Sequence, residues 1–151
     1  MIRKAKIKDV DIITELYIQA IGSSKMAKTH MKSRVLKDEA FVKELDGKII
    51  GAYIVEKGKF GDPYKMNRIP YTVYWLQHIM VFQEHRKKYY GKEMMNHYFM
   101  TGNDSEVKLY KLVCKDHMVK YYKKFGFEVI ERAKRKRGDK EHYNIMQKSN
   151  Q

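Results

Sequence analysis

The chain has one cysteine, Cys114, and two prolines in 151 residues. A single thiol excludes an intrachain disulfide, and nothing at the start, MIRKAKIKDV, has the apolar stretch of a secretory leader. No apolar run approaches the roughly 18 residues needed to cross a bilayer. A cytoplasmic protein is therefore expected. Metal-ligand spacing is missing too: the six histidines and the one cysteine form neither C-x-x-C nor H-E-x-x-H, so no metal site is expected. Acid is scarce, with 18 Asp and Glu against 32 Lys and Arg, a net charge of +14 and a pI near 9.7. Such a balance admits acidic partners such as nucleic acid, coenzyme phosphates or an anionic surface. Lysine-heavy usage alone is an equally good source of it.

What is present is enough for one core. Hydrophobic residues make up 43% and aromatics 13%, which argues against disorder, and a chain of this length buries roughly 68–70% of its unfolded surface as a single domain. That domain is taken to be residues 1–151. IRKAKIKDVDIITELYIQAIG reads as a short strand and a helix from Asp9 or Asp11, with Ile12, Ile13, Leu16 and Ala20 at helical spacing and Gly22 ending it. Lys25 to Leu36 is polar and weakly periodic, a loop with a short helix. Two β-branched runs joined by Asp46-Gly47 predict a hairpin. Residues 58–70 hold both prolines and predict an exposed loop. YTVYWLQHIMV, residues 71–81, is continuously apolar and predicts a central strand. Met94, Met95, Tyr98 and Phe99 then mark a helix from Gly91 that Gly102 is placed to end. VKLYKLVC is a strand, Asp116 a cap for a helix carrying Met118, Val119, Tyr122 and Phe125, and Gly126 its stop. Two further strands follow, joined by a basic turn around Gly138. The order β-α-α-β-β-β-α-β-α-β-β is an α/β arrangement of the mixed-sheet, α+β kind.

MVFQEHRKKYYGKEMM places a strand end, a cationic loop and a helix start within a few residues. Unpaired N–H groups and partial positive charge at a helix N-terminus make phosphate the natural occupant. The spacing matches neither the Walker loop nor G-x-G-x-x-G. Together with VKYYKKFGFEV, however, this stretch resembles the two signature segments of the GNAT superfamily, the acyl-CoA-dependent N-acetyltransferases. In the first segment, [QR]-x-x-G-x-[GA], Val81, Arg86 and Gly91 fall in register and Met94 and Met95 take the usual Leu-Leu positions; Tyr89 stands where the first glycine is expected. In the second, Y-x-x-x-G-F is matched by Tyr122, Gly126 and Phe127.

The resemblance implies a GNAT-like fold, a mostly antiparallel sheet of about six to seven strands flanked by about four helices, with acetyl-CoA as acyl donor. It implies that the loop Arg86, Lys87, Lys88, Tyr89, Tyr90, Gly91 and Lys92 holds the coenzyme diphosphate, with Lys115 among the cofactor contacts, and that Ile79, Met80 and Val81 pair with the pantetheine arm. A left-handed backbone at Tyr89 would cost about 1–2 kcal/mol for a residue other than glycine. Tyr122 takes the family's acid position, donating a proton to the departing thiolate.

The base is open. Many relatives carry a carboxylate where this chain has Trp75, leaving His78, with Gln77 beside it, as the candidate on the strand. A lysine-type amine is about one part in two thousand unprotonated at neutral pH, whereas an α-amine near 7.7–8.0 supplies a neutral fraction unaided. RAKRKRGDK, residues 132–140, is a basic run suited to nucleic acid, so an acidic or nucleic-acid-linked acceptor, aminoacyl-tRNA among them, is admitted, as is a homodimer. The alternative to an N-acetyltransferase is a non-enzymatic, basic nucleic-acid-binding protein on the same fold.

Overall fold

The structure is a computed structural model that describes residues 1–60, 68–135 and 137–150. Its elements run β1 (Ile2–Lys4), a 3-10 turn (Ile7–Asp9), α1 (Val10–Ala20), α2 (Ala27–Leu36), β2 (Ala40–Leu45), β3 (Lys48–Phe60), β4 (Arg68–Val81), α3 (Tyr90–Asp104), β5 (Leu109–Lys115), α4 (Val119–Lys123), β6 (Glu128–Arg132) and β7 (Tyr143–Ser149). The seven strands form one mixed sheet in the order β1-β2-β3-β4-β5-β7-β6. β4 pairs with β5 in parallel, while β1 with β2, β2 with β3, β5 with β7 and β6 with β7 are antiparallel. The expected sheet and element order are both present. The chain divides into two compact units, Met1–Glu56 with Gln77–Thr101 and Lys57–Leu76 with Gly102–Gln151.

In the first unit, Asp46 (φ 52°) and Gly47 (φ 78°) are both left-handed, the requirement of a two-residue I′ turn, and they set Leu45 opposite Lys48. Val10, Ile13 and Leu16 of α1 and Met31 and Val35 of α2 bury against Val42, Ala52, Ile54 and Met80. Each Val, Ile, Leu or Met among them contributes about 1.5–3 kcal/mol on leaving water. Here the structure corrects the sequence reading: Lys25 to Leu36 is mostly a helix. Its buried residues are Ala27, Met31 and Val35, a stripe one residue wide at i, i+4 and i+8, too thin among basic neighbours to register as a period. Residues of opposite parity on β3 pack differently. Tyr53 stacks on Phe41 at 4.8 Å and its hydroxyl lies 2.7 Å from His97 Nδ1 of α3, while Met94, Met95 and Tyr98 of that helix are fully buried. Gly51 is required by this packing, since a Cβ there would stand 2.9 Å from the carbonyl oxygen of Met80.

In the second unit, β4 and β5 are in register from Val73↔Leu109 to Leu76↔Leu112, and β7 pairs with β5 over its whole length. The loop expected at 58–70 is contradicted at both of its ends. Gly58 to Phe60 and Arg68 to Pro70 are extended, and residues 61–67 lie outside the described residues. Gly102 does not stop α3, which continues to Asp104; the glycine admits the Tyr110 ring, which occupies the place of a Cβ and donates from its hydroxyl to Asn103 Oδ1 at 3.0 Å. Asp116 does not cap α4 with its side chain. Its carboxylate accepts instead from Arg132 Nη2 (3.0 Å), Asn144 Nδ2 (2.9 Å) and the His142 N–H (3.0 Å). Those donors, Arg132 first, hold its pKa well below the usual carboxylate range.

Candidate active site

After Val81 the chain makes a 3-10 turn over Gln83–His85 and reaches α3 through Arg86 to Tyr89. Lys87 (φ 63°) and Tyr89 (φ 65°) are both left-handed. The turn closes through His85 N–H to Phe82 O (2.9 Å) and Arg86 N–H to Gln83 O (3.3 Å), and the helical bonding resumes with Glu93 N–H to Tyr89 O (3.1 Å). Between them, the N–H groups of residues 87–92 find no acceptor among the described residues. Left-handed residues in such a turn gather successive N–H groups into an anion-binding concavity, here continuous with the N-terminus of α3. Lys87, Lys88 and Lys92 are exposed beside it. Arg86 serves the loop differently, since its Nε donates to Val81 O at 3.1 Å and so fastens the loop to the strand end. Half-buried Tyr90 lies under Lys43 Nζ, 5.5 Å from the ring centroid, and Lys43 is paired with Glu93 at 2.7 Å.

His78 and Met80 point the same way along β4, so His78 is half-buried beyond the apolar floor beneath α1 and α2. Its ring meets Tyr17 of α1 edge-on at 5.3 Å and His30 of α2 at 6.4 Å. Burial first, then His30 and the Arg34 cation, pull its pKa down to about 4; burial and Arg34 lower that of His30 as well. Glu56, two residues past buried Ile54 on β3, accepts from Gln77 Nε2 and pairs with Arg34 at 3.7 Å. Arg34 also binds Glu39 at 2.9 Å. Tyr17, Met26, Thr29, His30 and Ser33 line a cavity of about 400 Å³. Ile79 and Val81 are half-buried on β4 and Met80 is buried.

In the second unit Tyr122 is 7% exposed, between Tyr121 (ring centroids 5.1 Å apart) and Phe127 (6.2 Å). Burial, then Tyr121 and Cys114, raise its pKa, so the phenol keeps its proton throughout the physiological range. Among the described residues its hydroxyl has no hydrogen-bond partner. Exposed Lys115 ends β5 with its ammonium 5.9 Å from the centre of the Tyr143 ring. Buried Cys114 has its thiol pKa raised to about 11 by burial and Asp116. No group of metal ligands occurs among the described residues.

These features coincide with a match to the family described as Acetyltransferase (GNAT) domain over residues 37–129. The chain belongs to the GNAT acetyltransferase family. Solved structures that resemble this GNAT chain include Arabidopsis thaliana Naa50 in complex with the bisubstrate analogue CoA-Ac-MVNAL, 14% identical, covering 99% of this chain and 98% of that one with a TM-score of 0.78. Drosophila melanogaster polyamine N-acetyltransferase is 10% identical with a TM-score of 0.79, covering 99% of both chains. An aminoglycoside 6'-N-acetyltransferase complexed with coenzyme A is 11% identical, covering 99% of this chain and 96% of that one with a TM-score of 0.80. At such identities the likeness establishes the fold. No curated protein matches.

Within this acetyltransferase, the polar cluster of His30, Arg34 and Glu56 is absent from the sequence-based expectations. Glu56 was within reach, since alternation from Ala52 and Ile54 puts it on the α1–α2 face. His30 and Arg34 were hidden in the segment read as a loop. Tyr89 has the left-handed backbone for which the family pattern supplies glycine, and its ring, 79% exposed, gains little burial in return. Tyr89→Gly is expected to remove about 1–2 kcal/mol of strain against roughly 0.5–1 kcal/mol of added chain entropy. The melting temperature should rise by about 2 °C; a fall would show that the tyrosine ring packs.

Proposed function

We propose that the chain transfers an acetyl group from acetyl-CoA to an amine by direct attack, with residues 1–151 acting as one acetyltransferase domain. The observation that carries this reading is the run of N–H groups at 87–92 without an acceptor among the described residues, on a left-handed turn at a helix start and flanked by three lysines. Those donors suit a diphosphate in number and charge. Lys87, Lys88, Tyr89, Tyr90, Gly91 and Lys92 would hold it, Arg86 keeping the turn on the strand end, and the β4 backbone at Ile79, Met80 and Val81 would align the pantetheine arm. When bound, the coenzyme supplies an activated thioester carbonyl. Tyr122 holds a proton that it gives to the departing sulfur, and Lys115 adds positive charge. No helix among the described residues is long and apolar enough to cross a membrane.

His78 takes up the amine proton, directly or through water. At a pKa of about 4 it is unprotonated at neutral pH, yet too weak to deprotonate an ammonium near 10.4 with useful driving force. This favours an acceptor that is partly neutral already, such as an α-amine near 7.7–8.0. A thiol-release assay with acetyl-CoA tests the reading across an amine panel. Turnover should be faster on an α-amine than on a lysine side chain at pH 7.5, and absence of release with every amine would overturn it.

A further inference from the structure

The loop between β6 and β7 carries charge that acetyl transfer does not use. Its base is built from four hydrogen bonds. Asp116 accepts from Arg132 at the end of β6 and from the His142 N–H just before β7, Ala133 N–H donates to Tyr143 O at 2.8 Å, and His142 Nδ1 lies 2.9 Å from Ala133 O. Two of the carboxylates near this base, Asp116 and Glu141, are consumed internally. Asp116 serves Arg132, Asn144 and His142, and Glu141 accepts from both the backbone N–H (2.7 Å) and the ring (2.8 Å) of His117. Lys134, Arg135, Arg137 and Lys140 are left exposed and without an ion-pair partner among the described residues, with Asp139 the acid beside them. Lys120, Lys123 and Lys124 of the α4 segment, which begins at the same Asp116 knot, are exposed too.

We propose that Lys134, Arg135, Arg137 and Lys140, presented on this clamped base, bind the phosphate backbone of a nucleic acid. A base fixed at both ends presents the cations without the ordering cost of a free tail, while phosphate contacts need positive charge and no particular sequence. A membrane surface fits less well, because Ala133 is the one apolar side chain in the described part of the loop and offers nothing to insert.

The test uses a fluorescein-labelled single-stranded oligonucleotide of about 20 nucleotides, with anisotropy read at about 50 and 200 mM salt. Four phosphate contacts, at about 0.7 in log–log slope each, predict a roughly fifty-fold loss of affinity over that range. Arg135→Glu with Arg137→Glu should weaken binding at least about tenfold at the lower salt and flatten the slope by about 1.4, with acetyl-CoA affinity unchanged as the check on folding. No binding at the lower salt, equal binding by the double variant, or capture by phosphatidylserine vesicles in place of the oligonucleotide would each overturn the proposal.

Discussion

Gly91→Asp is expected to abolish acetyl-CoA binding while leaving the protein at least as stable as before. The two effects have opposite signs because they act on different groups. Gly91 lies in the first turn of α3, where an acidic side chain interacts favourably with the helix dipole by about 0.3–1 kcal/mol, and glycine is a poor helix former. The same carboxylate stands among the N–H donors of residues 87–92. Two unit charges about 4 Å apart repel by about 1 kcal/mol in water and about 4 kcal/mol near a protein surface, and a diphosphate carries more than one. Affinity should fall by roughly a hundredfold or more, read by calorimetry, with a melting temperature that holds or rises. Unchanged affinity would remove the loop from the binding site. A collapse in melting temperature would instead show that the loop conformation depends on glycine.

Tyr122→Phe is expected to lower turnover by about 10²–10⁴-fold, the range for losing a positioned acid, with little change in melting temperature. The structure supports the separation: the ring is buried against Tyr121 and Phe127, while the hydroxyl has no hydrogen-bond partner among the described residues. Phenylalanine therefore retains the packing and removes only the proton. A structural tyrosine would show the reverse, a stability loss with turnover intact. Thiol release at saturating acetyl-CoA distinguishes the two, and undiminished turnover would dismiss the acid role.

Elements set by local chemistry were legible in the sequence. Asp46-Gly47 forces its turn whatever surrounds it, the largely apolar run of β4 has no place but a sheet interior, and the paired Met94/Tyr98 and Met95/Phe99 positions fix one face of α3. Features set by distant partners were not. Asp116 has the look of a cap, yet its donors, Arg132, His142 and Asn144, arrive from β6, the approach to β7 and β7 itself. Gly102 has the look of a helix stop, yet it makes room for Tyr110, from the following strand. The candidate site divides along the same line. The cationic loop is contiguous and could be read; the left-handed backbone at Lys87 carries no residue signature, and the grouping of His30, Arg34 and Glu56 near His78 depends on a helix whose apolar stripe is one residue wide.

The central claim is that main-chain donors at the head of α3 grip a diphosphate. Backbone amide shifts in a 15N-labelled sample, followed during titration with coenzyme A, address it residue by residue. The account predicts that the amides of residues 87–92 move most and move downfield, as N–H groups do on acquiring an anionic acceptor. Saturation with those amides stationary, and the large shifts elsewhere, would contradict it.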